Sequence, residues 1–488
     1  YIEECNKKEE KEIKNIIRLK EIKLNNKIED FMKRQLVSFI ILAAGLGKRM
    51  KSSFPKVLHL IAGKPIILHL LENIFLHREL CNLDQVVVVT GYKAELVENV
   101  VGRYSKEIKF VRQKNQIGTA NAVKVAGSLF GKNYQGNLAI LCGDAPLLNI
   151  KDIIDFMNTK LHDNFGVIAF NTVNQSGYGR VIKDKNGLAL KIVEEKYTNK
   201  EEKNCKLCNS GVLLGKAEYI FQFVLDIENN NIKKEKYLTD VIALANRAGK
   251  KVYILEAAET ECKGINDRVA LSMVEKDLQN TYRKKAMDNG ATLVAPETVY
   301  FASDTVIGRD VHIGPNVFFG NGVTIEDEVI IHSFCHIEGV IIKAKAIIGP
   351  FARLRPDTII GKGARIGNFV EIKKSTIGSG SKVNHLSYVG DSKIGENVNI
   401  GAGVITCNYD GKNKNVTSIG NGSFIGSNSS LVAPIKIGKN AIIGAGSVIT
   451  DNVPDESLSV ERSKQVTKIN KTKNYFKKLK NKSIQTIY

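Results

Sequence analysis

The sequence predicts an α/β chain in two parts, a doubly wound and largely parallel sheet followed by a parallel β-helix, on three observations. The first is a repeat of period six. Ile419, Ile425, Leu431, Ile437, Ile443 and Ile449 recur in phase, with glycine following at Gly420, Gly426, Gly438 and Gly444. Neither a helix nor an alternating strand has that period, whereas a stack of short strands, each coil burying its aliphatic side chains against the next, does. The second is a series of short apolar runs separated by helical-looking segments, the pattern of βα units. The third is a pair of glycines, Gly45 and Gly47, at the end of the first apolar run, where open α/β sheets receive their ligands.

Composition narrows the classes. The chain has 488 residues, 43% hydrophobic and 25% charged, which is ordinary for a globular protein with room for two or three domains. No stretch approaches the roughly 20 apolar residues of a spanning helix, and the charged N-terminus lacks the apolar core of a secretory signal. A cytoplasmic protein without membrane insertion is expected. Of the eight cysteines, Cys205 and Cys208 are close enough for a metal knuckle, but no second pair accompanies them, so they read as reduced and structural. The net charge of +20 comes from lysines spread along the whole chain, which suits anionic small substrates rather than nucleic acid.

In chain order, residues 1–36 are expected to be a charged, disordered extension, of which 1–31 precede the working protein; that begins near Met32. The first strand covers residues 37–44, and later ones 86–89, 109–112, 138–141 and 166–170, inside a domain of residues 37–266. Residues 267–290 carry Val269, Met273, Leu278 and Tyr282 among charged residues, which suits one linking helix closed by Gly290. The β-helix is expected over 291–461. Its hexads begin after Pro296, with Ile307-Gly308, Ile313-Gly314, Ile360-Gly361, Ile366-Gly367, Ile372, Ile394-Gly395 and Ile400-Gly401. Between Ile405 and Ile419 the phase is lost, so residues 407–418 are expected to leave the coil as a loop, the kind of element on which sites are built. Residues 462–488 form a basic tail.

The glycine turn carries the first candidate chemistry. Glycines let backbone N–H groups approach a polyphosphate, and Arg49, Met50, Pro55 and Lys56 follow closely. Residues 42–50 with Pro55-Lys56 resemble the nucleotide-sugar pyrophosphorylase signature L-A-A-G-x-G-x-R-M followed by P-K. Such enzymes bring two mutually repelling anions together, so positive charge and alignment matter more than a protein nucleophile. Gln113, Gln116, Gly118 and Thr119 follow the strand at 109–112, where side-chain amides can pair with a base edge or simply face solvent. Asp144 ends the strand at 138–141, as a turn residue or as a carboxylate facing a magnesium ion carried on a triphosphate.

In the second part, His385 lies between hexad runs, with Arg355 and Lys373 upstream and Tyr388, Asn399, Asn408 and Tyr409 downstream. Arginine and lysine clamp phosphates with charge-assisted bonds. Histidine, as a residue type, titrates near neutrality and suits deprotonating an amine that attacks a thioester.

From about Phe39 to Arg462 the chain resembles the bacterial bifunctional enzymes that are both N-acetylglucosamine-1-phosphate uridylyltransferases and glucosamine-1-phosphate N-acetyltransferases. The match is most continuous from Gly401-Ala402-Gly403 to Cys407-Asn408-Tyr409-Asp410-Gly411. The resemblance implies a Rossmann-like nucleotidyltransferase domain and a left-handed β-helix of hexapeptide repeats. It implies that Leu42, Ala43, Ala44, Gly45, Gln113, Gly118 and Thr119 hold uridine, with Gly143 beside them, while Lys56 and Arg49 hold the triphosphate. Gly179, Glu194 and Asn209 would hold the sugar, and Asp144 and Asn266 would share Mg2+.

For the acetyl site, the resemblance makes His385 the general base and gives glucosamine 1-phosphate to Arg355, Lys373, Tyr388 and Asn399. Asn408 and Tyr409 would orient sugar and acyl donor, and Ala402, Ser427, Ala445 and Arg462 would line the acetyl-CoA groove. UTP and acetyl-CoA are then the co-substrates, N-acetylglucosamine 1-phosphate the intermediate, and a homotrimer the assembly. The sequence departs from the family at Lys48, where Thr is usual, and at Cys142, where Tyr is common; both flank the charged groups. Two other readings share the two-part plan. An ADP-glucose-type pyrophosphorylase with a regulatory β-helix would not need His385 and its phosphate clamp. A non-catalytic relative, such as the exchange-factor subunits of translation initiation, would be expected to lose Arg49, Lys56, Asp144 and Asn266.

Overall fold

The structure, a computed structural model, describes residues 34–131, 133–227 and 235–473. The expected extension over 1–33, part of the tail and the segment 228–234 lie outside the described residues. Two compact units meet in sequence between Thr281 and Tyr282.

The first unit is built on β1 (Leu36–Ala43), β2 (Asn82–Thr90), β3 (Ile108–Arg112), β4 (Asn137–Cys142), β5 (Phe165–Asn171), β6 (Arg180–Lys183), β7 (Ala189–Val193), β8 (Leu207–Lys216) and β9 (Val252–Glu256). In space the main sheet runs β9-β5-β8-β4-β1-β2-β3, with the β6–β7 hairpin attached through β8. Every main-sheet neighbour pair is parallel except those of β8, which is antiparallel to both β4 and β5. Alternate side chains of β1 enter opposite faces: Phe39 and Ile41 join one core, Ile40 the other. Each face needs its own cover, which is why the strand is apolar on both faces but for Ser38 rather than alternating. Helices α1 (Ile66–Leu76), α2 (Ala94–Tyr104) and α4 (Ile150–Phe156) supply one core, while α3 (Thr119–Ala126), α5 (Ala217–Asp226) and α6 (Val241–Arg247) supply the other.

Two boundaries differ from the expectation. The first strand starts at Leu36, paired with Asn82, and Gln35 already accepts a hydrogen bond from Asn82, so residues 34–36 belong to the folded domain rather than to the extension. The linking helix, α7, spans Arg268–Asp288. Its buried stripe is carried by Val274, Leu278, Gln279, Arg283 and Ala286, while Val269 and Met273 are more than half exposed.

In the second unit the hexads become three flat parallel sheets, of ten, eight and eight strands, and consecutive strands go to each sheet in turn. That is the arrangement of a left-handed parallel β-helix. Ile313, Ile331, Ile348, Ile366, Val383, Ile400, Ile425 and Ile443 form one unbroken ladder of paired, buried residues. Glycine after the aliphatic residue has a steric cause: at Gly367 a Cβ would lie 1.9 Å from the Asn384 carbonyl oxygen of the next coil. The step from Ile400 to Ile425 is the long one, because residues 408–416 leave the coil. The loop is shorter than expected, since Cys407 pairs with Val432 and Ser418 with Lys393 inside the sheets. The seven cysteines among the described residues are free thiols.

A ladder position tests this packing. Ile366→Ala, at a residue 1% exposed, is expected to cost about 2–5 kcal/mol, read as a lowered urea midpoint of the β-helix transition.

Two candidate active sites

The first site lies at the carboxyl ends of β1 and β4, neighbours in the middle of the sheet. There β1 runs into Ala43, Ala44 and Gly45, and β4 into Gly143 and Asp144; Gly143 N–H donates to the Leu42 carbonyl (3.0 Å) and ties the two ends together. Two cavities open side by side. One, of about 340 Å³, is lined by Leu42, Ala43, Ala44, Gly45, Lys56, Gln113, Gly118 and Thr119. The other, of about 330 Å³, is lined by Arg49, Gly179, Glu194, Asn209 and Asn266. Leu42, Thr119, Cys142, Asp144 and Tyr237 line both. The structure thus gathers the residues expected at the nucleotide and those expected at the sugar into adjoining spaces with Asp144 between them.

Charge is arranged before any ligand binds. Lys56 Nζ is ion-paired to Asp144 and lies 3.3 Å from Asn266 Oδ1, which also accepts from Arg49 Nη2 at 2.9 Å. Asp144 and Asn266 are hard oxygen donors converging on one point, at present shared with a lysine ammonium, so they fit a magnesium ion. Among the described residues no group of three or more His, Cys, Asp or Glu side chains could hold a metal. An ion here would therefore take most of its ligands from phosphate and water, as Mg2+ does. Burial pushes the Cys142 thiol up to about 12, with Asp144 adding to the shift, so Cys142 is a neutral wall. Burial also raises the Glu194 carboxyl.

On the nucleotide side, the Gln113 amide donates to Gly118 O (3.1 Å) and Asn121 Oδ1 (2.9 Å). Gly118 is in the left-handed region, φ +117°, and a Cβ there would sit 2.3 Å from the Lys236 carbonyl oxygen. Sequence reasoning missed Tyr178, Tyr237 and Thr239, which line the second cavity. The signal available was a Tyr-Leu-Thr-Asp run, residues 237–240, too short to assign without its partner Glu194.

The second site is on the β-helix. Asn368, His385, Ala402, Ser427 and Ala445 follow one another up a single corner: Leu386 N donates to Asn368 O, Gly403 N to His385 O, Asn428 N to Ala402 O and Gly446 N to Ser427 O. Arg462 ends the strip, its Nη1 bonded to Ala445 O at 2.9 Å. His385 is exposed, and its Nδ1 lies 3.0 Å from Asn368 Oδ1. On the adjoining face, Arg355 pairs with Glu371 (2.8 Å), and Lys373 lies beside Lys414, with Arg355 near. The Lys414 contact, before burial and Arg355, lowers the Lys373 pKa. With Arg355 near, these side chains concentrate positive charge on this face. Tyr388 and the buried Asn408 converge over Gly390, and Asn408 donates to Asp391. Asn399 is on the sheet that holds His385, and Tyr409, 59% exposed, is on the loop. Lys414, Asn368 and Glu371 were not foreseen.

The chain matches the family described as nucleotidyl transferase over residues 38–260. It matches bacterial transferase hexapeptide repeats over 304–339 and 417–451, and a GMPPB C-terminal domain over 336–417. It is 46% identical to the bifunctional protein GlmU of Zymomonas mobilis, covering 88% of this chain and 95% of that one. Identity to the protein of that name from Paramagnetospirillum magneticum is 44%, over 88% and 94%. For Bartonella quintana it is 42%, over 90% and 96%.

Proposed function

The chain belongs to the family of bifunctional GlmU proteins, and from that premise we propose how its residues divide the two reactions of UDP-N-acetylglucosamine synthesis. Its β-helix is an acetyltransferase acting on glucosamine 1-phosphate, and its N-terminal unit a nucleotidyltransferase that uridylates the product. The observation that carries the residue assignment is the pair of separate constellations, each with its own cations and its own polar groups for substrate.

At the β-helix, the amine nitrogen of glucosamine 1-phosphate attacks the thioester carbonyl carbon, the C–S bond breaks and coenzyme A leaves. His385 takes the amine proton on Nε2 while Asn368 accepts from Nδ1–H, which sets tautomer and ring orientation. Arg355, Lys373 and Lys414 hold the phosphate, Tyr388, Asn399, Asn408 and Tyr409 the sugar and acyl group, and Ala402, Ser427, Ala445 and Arg462 the donor. Asn368→Ala should lower the acetylation kcat about tenfold, the effect of one lost orienting hydrogen bond, with KM for acetyl-CoA unchanged; initial rates in a thiol-release assay check this.

At the sheet, a phosphate oxygen of N-acetylglucosamine 1-phosphate attacks the α-phosphorus of UTP and pyrophosphate leaves. Lys56 and Arg49 hold the triphosphate and screen the two anions from each other. Asp144 and Asn266 would hold Mg2+, which supplies charge neutralisation on the phosphates when bound. Leu42, Ala43, Ala44, Gly45, Gln113, Gly118 and Thr119, with Gly143 beside them, take the uridine; Gly179, Glu194 and Asn209 the sugar.

A homotrimer completes the acetyl site in this reading. Its support is that His385, Tyr409, Ser427, Ala445 and Arg462 are exposed, as is a nearby ladder of stacked rings, Phe334, Phe351 and Phe369 (4.8 and 5.1 Å between centroids). We place the enzyme in the cytoplasm, upstream of peptidoglycan and lipopolysaccharide; no helix among the described residues is long and apolar enough to cross a membrane. Half-reactions run apart test the assignment: acetyl-CoA with glucosamine 1-phosphate should release coenzyme A, and UTP with N-acetylglucosamine 1-phosphate and magnesium should release pyrophosphate. Silence in either assay removes that half.

A further inference from the structure

A single stretch of chain, residues 236–239, touches both cavities of the uridylyl site. Its start is pinned to the nucleotide side: Lys236 N donates to Ile117 O at 2.7 Å, Ala120 N to Lys236 O at 3.0 Å, and Leu238 N to Thr119 Oγ1 at 2.9 Å. Tyr237 lines both spaces. At the far end Thr239 Oγ1 donates to Glu194 Oε1 at 3.2 Å, on the wall of the sugar-side cavity. Resting on the reading of Glu194 as a sugar ligand, we propose that Thr239 is a positioning residue for the sugar phosphate, holding the Glu194 carboxylate where it accepts from sugar hydroxyls.

Glu194 is half-buried, and a half-buried carboxylate takes its orientation from a donor that is itself held in place. Thr239 itself is fixed, because the strap is tied down three residues and one residue earlier, at Lys236 and Leu238, and runs directly into α6. The strap also makes the sugar-side geometry depend on loop 117–120, the wall of the nucleotide cavity, so the two halves of the site are built as one piece.

Electrostatics give the role a signature. Burial raises the Glu194 pKa, as do the carboxylates of Asp240 and Glu235, while the Thr239 hydroxyl and the Lys196 ammonium lower it. Removing the hydroxyl deletes a bond made to the charged form, so the carboxyl protonates at higher pH. Sugar-phosphate binding, lost as pH falls, should then begin to fail at a higher pH.

The test compares full-length wild type, Thr239→Val and Thr239→Ser in pyrophosphate release, with acetylation as the folding control. Thr239→Val should raise KM for N-acetylglucosamine 1-phosphate about tenfold, the loss of one hydrogen bond to a charged group. KM for UTP should hold, the acidic limb of kcat/KM for the sugar phosphate should move up in pH, and Thr239→Ser should restore both. The proposal is overturned if Thr239→Val leaves the sugar-phosphate KM unmoved, raises both KM values alike, or is matched by Thr239→Ser. An inactive wild type would instead overturn the reading of the whole site, and the inference with it.

Discussion

His385→Ala should reduce acetylation by about 10²–10⁴-fold, the range general-base removal produces, and leave uridylyl transfer unchanged. The Asn368 side chain, the Ser387 hydroxyl and the Gly403 backbone, to which His385 is hydrogen-bonded, all belong to the β-helix. Stability should hold as well. The imidazole is exposed, and truncating an exposed side chain away from a cap or core shifts stability by about 0.5 kcal/mol or less. An unchanged melting curve with coenzyme A release lost therefore separates chemistry from folding. Equal losses in both reactions would contradict two independent sites.

Lys56→Ala should do the reverse, lowering uridylylation by about 10²–10³-fold while acetylation persists. Here stability does not hold. The Lys56 and Asp144 side chains are 17% and 13% exposed, so deleting the ammonium leaves a mostly buried carboxylate without its countercharge, at a cost of up to about 3 kcal/mol. A second variant resolves the two effects. Lys56→Met with Asp144→Asn removes both charges, so it should recover much of the lost melting temperature and recover no activity. If activity returned with stability, Lys56 would be a structural ion-pair partner and not a phosphate ligand.

How far the fold could be read in advance depended on whether each residue carried its own signal. The hexads did, because every coil places an aliphatic residue inward at a fixed spacing. Their phase slipped upstream because some coil sides are one residue shorter, as between Ile337 and Ile342 or Ile372 and Ile377, whose inward positions still pair across coils. β8 was not foreseen, because Asn209, Ser210 and Gly211 interrupt its apolar pattern, and nothing in a buried strand's residues tells which way it runs. On α7, Val269 and Met273 suggested a stripe that the structure leaves exposed, while Gln279 and Arg283, 1% and 6% exposed, lie in the buried one.

The sites divide the same way. Lys56, Asp144, His385 and Arg355 stand in distinctive local runs. Asn368, Lys414 and Thr239 acquire meaning only through a neighbour far along the chain: the coil above, the mouth of a loop, or a hairpin on the other side of a cavity. Cys142 shows the limit from the other direction, since its departure from the family residue was visible but its place, shared by both cavities, was not.

One polypeptide carries both reactions in sequence. Purified full-length protein incubated with glucosamine 1-phosphate, acetyl-CoA, UTP and magnesium should yield UDP-N-acetylglucosamine by mass spectrometry, with coenzyme A and pyrophosphate released in equal amounts. Accumulation of N-acetylglucosamine 1-phosphate alone, with no UDP-sugar formed, would contradict it.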